Sequence, residues 1–466
     1  MKPTILMTAA SSLALVACAA GPDYVAPPQT ASAAAPFVAA VGPAVDPSRP
    51  AEGQWWRLYD DPVLDGLVTD ALNHNTDVRE AVARLDKARA LLRAQKTERL
   101  PDVGASAGAS YARAPADQVA PGDDRTGARF DAGLTASYEV DLFGRIGRGI
   151  EAAGGDLAAA DADLGAVRIA VAAETARAYA DAAGAAAQIQ IAQKIVDLLA
   201  GSERVAGRRA EVGLTTDLDT ARIAALRHER AAQIPQLMAQ REAALFRLAL
   251  LTGRPPRELP AAAGDRSAAL SLDRPIPVGD GAQLIARRPD VRAAERRLAA
   301  STARIGVATA ELYPRISLGG SASSTAGSLG NLFSGGPIGW LLGPLISWSF
   351  QDHALARARV AGAEADTRGA LAAFDGAVLR SLQETETALS AYRRTIERRR
   401  DLAQANDAAA RAARIVRAQQ REGTVDALSL FDAERTYAER QAALSAVEAD
   451  LADRQIDLFK ALGGTW

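Results

Sequence analysis

The feature that most constrains this chain is that it is written twice. Asn75-Thr76-Asp77-Val78-Arg79 matches Arg288-Pro289-Asp290-Val291-Arg292, and Leu100-Pro101 matches Tyr313-Pro314. Glu211-Val212-Gly213-Leu214 matches Arg421-Glu422-Gly423-Thr424, and Leu251-Thr252-Gly253 matches Ala461-Leu462-Gly463. Gly213 and Gly423 are 210 positions apart, and Pro101 and Pro314 are 213 apart. A spacing this long is no solenoid period of ~20–50 residues; it marks the duplication of a large unit.

Each copy carries the same order of elements. In the first, a helix is expected over Pro62–Arg99, stopped by Pro101. Strands follow at Val103–Arg113 and Ala128–Asp141, joined by a Pro/Gly/Asp-rich loop. A Pro-free helix runs from Ile146 to Glu211, breaks at Gly213 and continues as a helix over Thr216–Leu251. The second copy repeats this as helix Gly279–Leu312, strands Arg315–Ser324 and Gly336–Phe350, helix Asp352–Arg421, Gly423 and helix Val425–Leu462. The long helices keep a seven-residue apolar repeat, at Ile150, Leu157, Leu164 and Val171 and at Leu382, Leu389 and Ile396. That period specifies left-handed coiled-coil packing, and the abundant Ala between the knobs permits close approach.

The strands alternate. Phe130, Ala132, Leu134, Ala136, Tyr138 and Val140 share one face, opposite Arg129, Asp131, Thr135 and Glu139. Ile338, Trp340, Leu342, Ile346, Trp348 and Phe350 do the same in the second copy. Strands of ~10 residues with this dyad suit a transmembrane barrel, with Tyr111, Phe130, Tyr138, Trp340 and Trp348 as interfacial aromatics. The same pattern also fits soluble hairpins on a small sheet.

Composition excludes several functions. With 54 Lys+Arg against 56 Asp+Glu there is no basic excess for nucleic acid. One Cys excludes an internal disulfide and a Cys-rich metal site. His74, His228 and His353 form no ligand pattern, and no Walker, GxSxG or paired His/Cys signature is present. No catalytic residue, cofactor or metal is expected.

The first 17 residues read as a secretory signal: Lys2 precedes an apolar stretch too short to span a bilayer. It ends Leu15-Val16-Ala17-Cys18, a lipobox form in which Cys18 becomes the acylated first residue of the mature chain. Ala17-Cys18-Ala19 also has the small-x-small form of an ordinary cleavage site. The segment from Ala19 to about Pro50, rich in Pro, Ala and Gly, reads as extended and lying on a surface. The division is then signal 1–17, anchored segment 18–61, first copy 62–253, linker 254–278 and second copy 279–466.

At 1.5 Å per residue, a helix of ~66 residues spans ~99 Å, and two flanking helices of ~36 residues match it end to end. The strands then collect at one end, the two Gly turns at the other, and the linker at the waist. Four strands cannot close a barrel, and open edges do not survive in lipid. Three copies bring ~12 strands, a closed barrel above a tube of helices.

These features together resemble the TolC-like outer-membrane factors, in the OprM/NodT lipoprotein branch. The residues carrying the resemblance are the lipobox with Gly21-Pro22-Asp23-Tyr24, Asp141-Leu142-Phe143-Gly144-Arg145, Tyr313-Pro314, Leu428-Ser429-Leu430-Phe431-Asp432-Ala433 and Lys460-Ala461-Leu462-Gly463-Gly464. The fold class implied is mainly α with a small β part: a trimeric α-barrel under a 12-stranded β-barrel. The implied function is an outer-membrane lipoprotein channel of a tripartite efflux pump, a passive conduit through the outer membrane and periplasm. Its implied partners are two further copies, a periplasmic adaptor, an inner-membrane pump of the RND type and outer-membrane lipid.

The resemblance also implies site residues. The tips Val212-Gly213-Leu214-Thr215 and Gly423-Thr424 dock the adaptor; Glu422 departs from the family's usual Val. Leu428 and Asp432, four apart and so on one helix face, form the periplasmic gate, three Asp432 carboxylates repelling one another near the axis. Such a ring favours cations. Asp432 also reads simply as an acid near a helix N-terminus. Asp217, Asp219 and Arg421 supply gate-locking ion pairs, with Gln420 where the family often has Tyr. The rival function is a coiled-coil adaptor or scaffold lipoprotein without a pore, which predicts neither the four strands nor the duplication.

Overall fold

The computed structural model describes residues 19–50, 53–122, 124–272, 274–334, 338–348 and 353–464. Cys18, Gly336 and Phe350, each named above, lie outside them.

In chain order the elements are β1 (Val45–Asp46), α1 (Pro62–His74), α2 (Thr76–Thr97), β2 (Asp102–Arg113), β3 (Thr126–Val140), α3 (Arg145–Glu211) and α4 (Asp217–Leu251). Then come α5 (Ala262–Asp265), β4 (Ile276–Pro277), α6 (Gly281–Arg287), α7 (Pro289–Ala310), β5 (Arg315–Ala326), β6 (Ile338–Ser347), α8 (His353–Arg421) and α9 (Ala427–Leu462). The mainly helical class with a small sheet is as expected. Two expected single helices are each broken in two, and both breaks fall in the repeated motif. Asn75 turns its side chain back to accept from the Asp77 and Val78 amides, 2.8 and 3.3 Å away, and so caps α2. Pro289 opens α7 as its first residue, which holds Arg288 in an extended conformation.

The chain divides into two compact units, each drawing on both copies of the repeat. One comprises Met1–Pro27, Arg84–Ala160 and Ala293–Asp375; the other comprises Pro28–Ala83, Asp161–Arg292 and Gly376–Trp466.

The first unit holds an antiparallel sheet in the order β2-β3-β5-β6. Residues directly opposite one another in a ladder share a face. The pairs Ala105–Leu134, Leu134–Ala322 and Ala322–Trp340 therefore join one apolar face across all four strands. Tyr138–Leu318 and Leu318–Pro344 extend it. The opposite face is small and polar on β2, β3 and β5, with Ser106, Gly108, Ser110, Asp131, Thr135, Ser321 and Ser323, while β6 adds Leu341 and Leu345 to it. Apolar residues on the first face stay open, Trp340 at 79% and Ile346 at 70%.

The second unit holds the main apolar core. Trp55 stacks on Phe459 at 4.8 Å and meets Trp56 edge to face, beside Leu64, Val68, Tyr179, Leu248, Leu389 and Ile456. The segment from Ala19 to about Pro50 lies mostly on the surface as expected, and the structure corrects the expectation at Phe37, with the core taking in the next stretch as well. Phe37, Trp55 and Trp56 are buried. Val45–Asp46 pairs in parallel with Ile276–Pro277, and Glu386 accepts the Val38 and Ala39 amides. Three aromatic side chains bury enough area to outweigh a Pro-rich background, which composition averages away.

Candidate functional site

Both helix hairpins turn through the same motif. At Gly213 (φ +71°) the amide bonds to the Ala210 carbonyl at 2.9 Å and Leu214 N–H to Arg209 at 2.8 Å. At Gly423 (φ +72°) the amide bonds to Gln420 and Thr424 N–H to Gln419, at 3.2 and 3.0 Å. These are Schellman closures, and the positive φ is what demands glycine there. Each following helix is capped: Thr216 and Asp219 form a reciprocal box at α4, and Asp426 accepts the Ser429 amide at α9.

The two turns meet. A cavity of about 610 Å³ is lined by Leu214, Thr215, Thr216 and Asp219 from the first, and by Gly423, Thr424, Val425 and Asp426 from the second. Hydroxyl bonds from Thr216 and then Thr215 hold the Asp219 carboxyl below its usual range. The Ser429 hydroxyl and amide do the same for Asp426, while the Asp219 charge pushes it the other way. Val212 and Leu214 are open to solvent, apolar knobs at the end of the hairpin.

On α9, Leu428 and Asp432 share an exposed face. Asp432 sits 3.8 Å from Arg435 on the same helix. The third expected group behaves differently. Asp219 is engaged with its own cap, Asp217 is exposed in the first turn, and Arg421 lies in a separate groove beside Arg204, Arg208 and Arg417. Among the described residues Arg421 pairs with neither acid within one chain. Sequence reasoning missed the ion pair between Arg417 and Glu434. Its signal was an acid set between Leu430 and Ala438, four residues either side, on the apolar face of α9.

Where β3 gives way to α3, residues following Cys18 are tied down. Ala20 N–H bonds to Phe143 O at 2.9 Å. The buried Arg148 reaches Asp23 at 2.6 Å, Glu151 at 2.8 Å and the Ala20 carbonyl. Tyr24 donates to Glu295, and burial and then that bond push its hydroxyl up to about 12. Gly21 (φ +85°) passes so near Gly306 that a Cβ on it would meet the Gly306 Cα at 2.5 Å. Phe143, just after β3, and Tyr313, just before β5, stack at 4.5 Å. Among the described residues no helix is long and apolar enough to cross a membrane.

The sequence model of the outer membrane efflux protein family matches residues 67–254 and again 281–464. The chain belongs to that family. OprJ of Pseudomonas aeruginosa, an outer membrane protein, is 31% identical over 98% of this chain and 94% of its own length. The antibiotic efflux pump outer membrane protein ArpC of Pseudomonas putida is 30% identical over 100% and 96%. Among solved structures, the outer-membrane channel OprN superposes with a TM-score of 0.89 at 38% identity, covering 96% of this chain and 99% of that one. The open state of the Neisseria gonorrhoeae MtrE channel gives 0.80 at 27% identity, covering 96% and 98%. An outer membrane efflux protein is a channel component that acts in the outer membrane and extends into the periplasm. The reading as a pore-less adaptor is thereby set aside.

Proposed function

We propose that three copies of this chain close into one pore, the passive exit duct of a tripartite efflux pump, with no catalytic step of its own. The observation that carries this is the sheet. Its register aligns one apolar face across four strands, yet leaves β2 and β6 as edges without a partner strand among the described residues. Unpaired strand edges are too costly in hydrocarbon to persist. The strands alternate in direction, so β6 of one copy meets β2 of the next antiparallel and the ring closes at ~12 strands. The face of small and polar residues on β2, β3 and β5, with Leu341 and Leu345 of β6, then lines the lumen.

The remaining assignments follow from that assembly. Cys18 carries the acyl anchor, held at the sheet by the contacts of Ala20, Asp23 and Tyr24. The exposed tips, Val212 to Thr215 with Gly423 and Thr424, dock a periplasmic adaptor linked to an inner-membrane pump of the RND type. Leu428 and Asp432 narrow the periplasmic end, with Asp217, Asp219 and Arg421 pairing between copies. Cargo is chosen by the pump; antibiotic and toluene efflux in the names of ArpC and of TtgC relatives point to small organic compounds. The test is the mass of the detergent-extracted protein, read with heat-dependent gel mobility. A heat-modifiable trimer is expected; a stable monomer refutes the assembly.

A further inference from the structure

Below the second tip, α8 and α9 are joined by an ion pair whose acid is almost wholly out of water. The Glu434 side chain is 2% exposed and that of Arg417 is 28% exposed. The guanidinium grips the carboxylate with two N–H groups: Nε donates to Oε1, and Nη2 donates to Oε2 at 2.7 Å. Such a fork fixes direction as well as distance, because both donors lie in one plane.

Its position on α9 matters. Leu430 and Ala438, both buried, stand four residues either side of Glu434 and share its face. Leu428 and Asp432 lie on the exposed side, since two residues along a helix turn a side chain by about 200°. With Glu434 held, α9 cannot roll about its axis. A roll that turned the gate face inward would drag a carboxylate off its only fork and leave it buried and unpaired, which is strongly unfavourable.

The first hairpin makes the comparison. It too has a cross-hairpin pair, Arg227 Nε to Glu203 Oε2 at 2.6 Å, but both side chains are 27% exposed. The polarity is reversed, with the acid on the long helix. Glu203 and Arg227 stand ten residues before and fourteen after Gly213; Arg417 and Glu434 stand six before and eleven after Gly423. Only the second hairpin has its pair sealed, close to the turn, and next to Leu428 and Asp432.

We infer that Arg417 and Glu434 are positioning residues for the gate: their pair locks the rotation of α9 and keeps Leu428 and Asp432 presented to the pore axis. The inference rests on the gate reading of those two residues. One consequence is that the α8–α9 hairpin moves as a single piece when the constriction widens.

The experiment is planar-bilayer recording of the full-length trimer as wild type, Glu434→Gln, the exchange Arg417→Glu/Glu434→Arg, and Asp432→Ala, with thermal melting of each. Glu434→Gln keeps the shape and removes the charge. It should shift the ratio of open to closed dwell times by about tenfold toward open, with the exchange returning it toward wild type. Glu434→Asp, which keeps the charge with a shorter reach, should fall between and serves if the Gln variant fails to assemble. If Asp432→Ala alters conduction while the position-434 variants lower only the melting temperature, the pair is a structural staple and the inference is overturned. If Asp432→Ala alters nothing, the gate reading itself fails and takes the inference with it.

Discussion

Asp453 is a carboxylate in a place that resists its charge. It lies on α9 in the second unit, and its Oδ1 is buried with no hydrogen-bond partner among the described residues. Asp181 of α3 and Asp450 and Asp457 of α9 face it with like charge, Arg177 of α3 opposes them, and the buried Tyr59 hydroxyl stands nearby. Arg177 is itself committed to Asp457 and Glu174. Burial first, and then the Asp181 charge, push the Asp453 carboxyl from 3.8 up to about 7. An unfolded chain releases this proton near the lower value, and the folded chain holds it until the higher one. Stability is therefore lost as pH rises between the two and stays lost above, by up to ~4 kcal/mol for an unscreened site. Partial exposure to water reduces this to on the order of 1–2 kcal/mol. Asp453→Asn keeps the shape and cannot ionise. Its melting temperature in detergent should match wild type near about pH 4 and exceed it at about pH 8, the gap opening across the interval. A gap independent of pH, or a variant less stable at the alkaline end, would refute the reasoning.

Three further outcomes are expected. Trp340→Arg, on the apolar face of β6, should cost ~2–4 kcal/mol of membrane insertion and deplete heat-stable trimers in the outer-membrane fraction, whereas Ser323→Arg on the opposite face should not. Arg148→Met removes the bonds to Asp23, Glu151 and the Ala20 carbonyl; exchange of the Ala20 amide, read by mass spectrometry, should accelerate by about tenfold, a loss of ~1–2 kcal/mol. Arg288→Ala unties Asp290, Glu384 and the Ala461 carbonyl and should lower stability by ~2–3 kcal/mol at neutral pH. Burial raises the Asp290 carboxyl, but the bond and charge of Arg288 outweigh it and hold the folded value low. That stabilisation is present above the unfolded value and lost as pH falls through the folded one, so melting curves of variant and wild type should converge in acid.

What was legible in the sequence was whatever repeats or acts locally. The duplication, the seven-residue rows from Ile150 and Leu382, the alternation along β3 and β6, and the turns at Gly213 and Gly423 each need only a few neighbouring residues to be read. Strand ends came within two residues for β2, β3 and β5. The breaks at Asn75 and Arg288 were in plain view, a side-chain cap and a Pro. The helical apolar pattern continues across both and masks them. Burial of Phe37, Trp55 and Trp56 was not legible, because it depends on Phe459 and Ile276, hundreds of positions away. The Arg417–Glu434 pair was hidden for a related reason. An acid on a long helix reads as solvated until the facing helix is known. Asp219, assigned to a lock between helices, proved to be bound first to Thr215 and Thr216, the short-range competition that favours acids at helix starts.

The most direct test of the central claim is single-channel recording of the purified full-length protein in a planar bilayer, wild type beside Asp432→Ala. The account predicts discrete, cation-preferring steps that grow when the three carboxylates at the constriction are removed. A protein that inserts as a trimer and passes no current in either form would contradict it.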